Sequence, residues 1–189
     1  TGVTMPPQIY ARIDGGAPHL YTVDRNQIDI TPRALGPGMH ELELAVKDVD
    51  EWGNRWKPPF ASALRLAGFR LSNGARVVPA QRPGGPRIEF LGDSITQGVR
   101  LLGPELGVHG TDATKGYAWL TGKAFEADFR PVGFGGQGIT VPGGGEVPIA
   151  AESLGLNFAG SPVDPDHVPH AVVVNFGAND ALHTSLNGF

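Results

Sequence analysis

Two different hydrophobic rhythms divide the chain near residue 80, and that division constrains the fold more than any other feature of its 189 residues. Residues 8 to 79 carry short runs rich in β-branched and aromatic residues, separated by turn signals. Residues 8–13 alternate and stop at Asp14-Gly15-Gly16, a hairpin-type turn, and 20–23 and 27–30 follow. Gly36-Pro37-Gly38 leads into 39–46, where Leu42, Leu44 and Val46 share a face at period two. A polar loop with Trp52 and Trp56 separates this run from the next, 63–71. Short strands at this spacing predict an all-β antiparallel sandwich over residues 1–80. Residues 81–86, rich in Gly and Pro, read as a linker.

From 87 to 189 the pattern becomes βαβ, which predicts an α/β domain on a parallel sheet. Residues 87–91 form a short strand that breaks at Gly92. Residues 111–128 have helical spacing, with Tyr117, Leu120, Ala124 and Phe125 on one side and a cap at Thr111 or Asp112. Residues 129–134 form a weaker strand. The Gly/Pro-rich stretch 140–169 is too long for an ordinary connection and is a candidate functional segment. Residues 171–176 form a continuous apolar run, as expected of a central parallel strand buried on both faces.

Composition removes several functions. The 28 Gly and 17 Pro follow no repeat period, so they read as loops and not as a fibrous repeat. Net charge is −4 with no basic run, so no nucleic acid partner is expected. No apolar stretch reaches the ~20 residues that span a bilayer, so no membrane span is expected. Cysteine is absent, which excludes disulfides, a thiolate nucleophile and thiolate metal sites. Histidines and acids show no metal-ligand spacing, so neither metal nor cofactor is expected.

Each predicted strand of the α/β part ends in a glycine-containing turn: Gly92-Asp93-Ser94, Gly135-Gly136-Gln137-Gly138 and Gly177-Ala178-Asn179-Asp180. Ligands of open parallel sheets bind at the carboxyl ends of the strands. The turns therefore bring Ser94, the backbone of Gly136 and the side chain of Asn179 to one edge. A hydroxyl nucleophile beside preorganised N–H donors is what acyl transfer requires. Each turn alone has a plainer reading, as a helix cap or a simple turn. Three at successive strand ends are the signal.

The run Phe90-Leu91-Gly92-Asp93-Ser94-Ile95-Thr96-Gln97-Gly98 resembles the first block of the SGNH (GDSL-type) hydrolases. Gly136 falls where their second block has its glycine, and Gly177-Ala178-Asn179-Asp180 matches the third. The resemblance implies Ser94 as nucleophile, with the Ser94 and Gly136 N–H groups and the Asn179 amide as oxyanion hole. A narrower resemblance joins Gly38-Met39-His40-Glu41, residues 88–96 and Lys115–Leu120, and is to the second family of carbohydrate esterases. It implies a jelly-roll-like sandwich followed by a three-layer SGNH domain, here incomplete. It also implies a secreted enzyme that removes acetyl groups from an acetylated polysaccharide or oligosaccharide such as xylan. Members often have Cys where this chain has Gln97, a difference read as neutral. A GDSL-type lipase or small-ester esterase, and a non-catalytic carbohydrate-binding remnant, are the alternatives.

The family's fourth block, Asp-x-x-His, supplies the general base and follows the third block. Only nine residues follow Asp180, so the chain is expected to be a fragment whose base lies beyond Phe189, inactive on its own. Its sandwich is likewise expected to lack the first strands. Asp164-Pro165-Asp166-His167 fits the block literally but precedes the third block, which puts it near the opposite end of the last strand. His19 and His40 read as structural or surface residues, while His109 and His183 follow strand-end turns on the site's edge, where they read as loop histidines or could touch substrate. Trp119 reads as core. Trp52 and Trp56 either pack under their own loop or form part of a sugar-binding surface.

Overall fold

The computed structural model describes residues 5–31, 34–105, 107–166 and 168–186. The N-terminal part holds β1 (Gln8–Ile13), β2 (His19–Thr22) and β3 (Leu42–Asp48) in an antiparallel sheet of order β2-β1-β3. Residues 27–30 and 63–71, expected as strands, pair with nothing in this sheet. Alternation makes a run compatible with a strand, but only a partner ladder makes it one, and β1 already has both edges occupied. Leu66, Phe69 and Leu71 consequently stay exposed. The part is therefore a small sheet, and a two-layer sandwich is not formed by the described residues.

The β3 alternation comes out with the opposite face inward. Leu42, Leu44 and Val46 do share a side, paired across from Ile13, Ala11 and Ile9. Val46 is nonetheless 43% exposed, whereas Ala45 and Lys47 are buried against the second part of the chain. Lys47 donates to the carbonyls of Val108 and Thr111, and Tyr10 donates to Asp112 Oδ2 at 2.9 Å. The long methylene stem lets lysine bury while its ammonium is satisfied by carbonyls. This polar seam joins the two parts.

The second part is built on β4 (Arg87–Gly92), β5 (Asp128–Gly133) and β8 (Ala171–Asn175), a parallel sheet of order β5-β4-β8. Between them come α1 (Ser94–Gln97), α2 (Tyr117–Ala124), α3 (Ala150–Ser153) and a small antiparallel pair, β6 (Leu156–Phe158) and β7 (Ser161–Pro162); α4 (Ala178–Leu186) follows β8. The core gathers Ile88 and Phe90 of β4 with Ala118 and Ala127, and Tyr117 and Phe129 pack onto it. The middle strand is thus β4, and β8 is an edge among the described elements. Val172, Val173 and Val174 are exposed because no described element covers them.

The helix expected over 111–128 is shorter. Asp112 caps a single 3-10 turn, Ala113–Lys115, and the chain re-enters a helix only after Gly116. Its buried face is Ala118 and Gly122, while Leu120 and Phe125 point outward. Gly122 decides this, because the Phe129 ring occupies the space its Cβ would need, and Phe129 meets Trp119 edge-on at 5.3 Å. In an unconstrained helix Gly→Ala stabilises by roughly 1 kcal/mol. Here the overlap with Phe129 reverses the sign, and Gly122→Ala in the full-length protein is expected to cost about 1–3 kcal/mol. The urea midpoint should fall at unchanged slope; a rise would contradict this packing.

Candidate active site

The Gly92–Ser94 loop is held by its own N-cap. Asp93, buried, accepts from the Ile95 N–H at 2.9 Å, so the capping role belongs to Asp93 and not to Ser94. Ser94 is the first residue of α1, half-buried, and faces a cavity of about 300 Å³. Gly136 lines the same cavity at φ +76°, a conformation that favours glycine. The Ser94 and Gly136 N–H groups have no backbone acceptor among the described residues. The structure thus brings two of the three expected residues to one space. Glu51, Trp52, Arg100 and Gly144 complete much of its wall.

Asn179 plays a different part in this arrangement. Its amide donates to the Gln137 carbonyl at 2.8 Å and reaches Asp93 Oδ2 at 3.4 Å, tying the glycine turn to the Ser94 loop. Asn179 does not line the cavity. Next to it, Asp180 accepts from the N–H groups of Ile139 (2.9 Å) and Thr140 (2.7 Å) and from the Thr140 hydroxyl. The hydrogen bonds from Thr140 and Ile139 hold its carboxyl below the usual range.

Sequence reasoning missed a buried polar knot behind the Gly135–Gly136 turn. Gln97 Oε1 accepts from the Gly135 N–H at 2.9 Å and from Arg55 at 3.1 Å, while Gln97 Nε2 donates to Asp48 Oδ1 at 2.9 Å. Gln97, a difference read as neutral in the sequence, stands at the centre of this knot. Arg55 also donates to the Gly144 carbonyl at 3.3 Å and lies over the Phe134 ring at 5.2 Å. Gly144 N–H in turn donates to the Gly135 carbonyl at 2.8 Å, so this glycine of the 140–169 stretch lies against the cavity. Burial pushes Asp48 up to about 6 against the Gln97 hydrogen bond, and depresses Arg55 to about 10 against its neighbouring acids. Burial also raises the Glu51 carboxyl. Asp48 Oδ2 and one Arg55 nitrogen are buried without a partner among the described residues.

The tryptophans separate. Trp56 is 7% exposed and meets Phe134 edge-on at 5.9 Å, whereas Trp52 is 62% exposed at the cavity. Asn54 organises the loop between them, its carbonyl accepting from Trp56 N–H and its amide donating to Lys57 and Pro59 carbonyls. No histidine of the described residues lines the cavity. His40 is engaged by Asp14 and the Gly36 carbonyl, and His170 accepts from Arg87 N–H. His167, of the literal Asp-x-x-His match, lies outside the described residues.

Comparison with known proteins places these elements. No protein-family model matches the chain. It is 30% identical over 156 residues, 77% of its length, to the cellulase/esterase CelE of Acetivibrio thermocellus, and that match takes in 18% of the relative. Its fold is similar to a family 2 carbohydrate esterase with a carbohydrate-binding domain from Corynascus thermopiles (Myceliophthora fergusii), with TM-score 0.69, 25% identity, 94% of this chain and 54% of that one. It is also similar to a family 2 esterase from Clostridium thermocellum in complex with cellohexaose, with TM-score 0.68, 22% identity and the same coverage. The chain spans about half the length of these solved structures and under a fifth of the curated relative. Its structural neighbours are family 2 carbohydrate esterases.

The raised Asp48 carboxyl gives a signed pH dependence. Ionisation is penalised in the fold, so the penalty is absent below the unfolded value near 4, grows from there to about 6, and is complete above that. About two units correspond to at most roughly 3 kcal/mol. In the full-length protein, the stability of Asp48→Asn minus that of the parent should fall as pH is lowered from 7 to 4, as read by urea unfolding. A difference that is flat or grows on acidification would contradict it.

Proposed function

We propose that these residues form the nucleophile-bearing part of a serine esterase that removes O-acetyl groups from a xylan-like polysaccharide. The observation that carries this reading is the Ser94 side chain and the Gly136 turn facing one cavity. Ser94 Oγ attacks the acetyl carbonyl as a general base takes its proton. The N–H groups of Ser94 and Gly136 receive the developing oxyanion, each such donor being worth about 3 kcal/mol. The C–O bond to the sugar breaks, the sugar oxygen recovers the proton, and water then releases acetate from Ser94. Asn179 serves the oxyanion hole by holding the Gln137 carbonyl, and its amide joins the hole if it turns from that partner.

Carbohydrate as substrate is supported by the exposed Trp52 face beside Glu51 and Arg100, an apolar plane flanked by polar groups. Such a substrate puts the work outside the cytoplasm. The general base is proposed to be a histidine outside the segment, since none lines the cavity among the described residues. The domain division at 1–80, 81–86 and 87–189 is retained, with the N-terminal sheet as one layer of a jelly-roll whose other layer would cover the Leu42, Leu44 and Val46 face.

Acetate release from acetylated xylan by the full-length protein should fall at least about a thousandfold in Ser94→Ala, while oligosaccharide binding persists. Undiminished release would remove Ser94 from the mechanism, and preference for long-chain esters would overturn the substrate. The 189 residues alone should not hydrolyse 4-nitrophenyl acetate at an esterase's rate; if they do, the base lies within them.

A further inference from the structure

The Gly136 N–H can serve an oxyanion only if its peptide plane is fixed before substrate arrives, because preorganisation is what makes such donors effective. That plane shares an edge with Gly135, whose two backbone groups are both held. Its carbonyl accepts from Gly144 N–H, and its own N–H donates to Gln97 Oε1. Gln97 leaves α1 at its last residue, so the side chain that fixes the oxyanion turn starts three positions after the nucleophile. The amide of Gln97 has one orientation compatible with its neighbours. Oε1 must face the two donors, Gly135 N–H and Arg55, and Nε2 must face the acceptor Asp48. A flipped amide would set N–H against N–H and oxygen against carboxylate.

We propose that Gln97 is a positioning residue for the oxyanion turn, and that Asp48 and Arg55, supplied by the N-terminal part, lock its amide in the working orientation. Through these two side chains the N-terminal part then contributes to catalysis at a distance from the substrate: β3 ends at Asp48, and the loop after it delivers Arg55 to the same amide and to the Gly144 carbonyl. The knot explains why two charged groups of the N-terminal part are buried at the junction. This inference rests on the esterase reading.

The test is a set of full-length variants assayed on 4-nitrophenyl acetate and acetylated xylan, with Ser94→Ala as the reference for that reading. Gln97→Met removes all three of these bonds and is expected to lower kcat about tenfold to a hundredfold, the scale of a small misplacement in a site, with KM within about twofold. Gln97→Glu keeps the acceptor for Gly135 N–H but sets a carboxylate against Asp48, and should also lose kcat. Pairing it with Asp48→Asn reverses the donor and acceptor at the same formal charge, since the amide introduced at position 48 can donate to the new carboxylate. That double variant should recover most of the loss. If Ser94→Ala keeps activity, the esterase reading itself fails. If Ser94→Ala is dead but a folded Gln97→Met keeps its kcat, or the double variant is no better than Gln97→Glu alone, the positioning role is wrong. Should Gln97→Met not fold, the comparison of Gln97→Glu with the double variant decides.

Discussion

The Oε1 oxygen of Gln97 accepts from the Gly135 N–H on one side and from Arg55 on the other, and the site's geometry hangs on that shared acceptor. Through Gly135 it reaches the Gly136 turn; through Arg55 it reaches the Gly144 carbonyl and the loop that presents Trp52. The Ser94 loop is fixed separately by Asp93, and Asn179 bridges the two by bonding the Gln137 carbonyl and approaching Asp93. Three loops at one sheet edge thereby become a single rigid frame around Ser94.

Such a frame costs stability. Asp48, Glu51 and Arg55 are buried together, and burial drives both acids upward and the guanidinium downward. Among the described residues, atoms of Asp48 and Arg55 remain unsatisfied. Buried ionic groups of this kind are weak evidence for stability, and replacing them by apolar residues is often neutral or better. Their presence beside the Gly135–Gly136 turn is better explained by orientation: polar partners choose one rotamer of an amide, whereas apolar packing would accept both.

The parts of the site legible in the sequence were local ones. Strands β4, β5 and β8 are short runs bounded by turn signals, only β8 of them contiguous and apolar, and each is followed within a few positions by a glycine turn that holds Ser94, Gly136 or Asn179. The knot was not legible because its bonds join residues 38, 42 and 49 positions apart. Gln97, Arg55 and Asp48 each look like ordinary polar residues until the fold brings them together. Periodicity also misjudged faces. In β3 the apolar side is not the packed side, because Lys47 finds carbonyls to bond, and in α2 a glycine chooses the buried face by admitting Phe129. Residues 63–71 alternate like a strand but have no ladder to join.

Catalysis in this frame turns on Ser94 being the residue that carries the acyl group. Treating the full-length protein with a fluorophosphonate, which phosphonylates an activated serine and expels fluoride, and mapping the adduct by peptide mass spectrometry, measures this directly. A single stoichiometric adduct on Ser94, competed away by acetylated oligosaccharide, is the expected result. An adduct on another residue, or none while the protein still releases acetate, would contradict it.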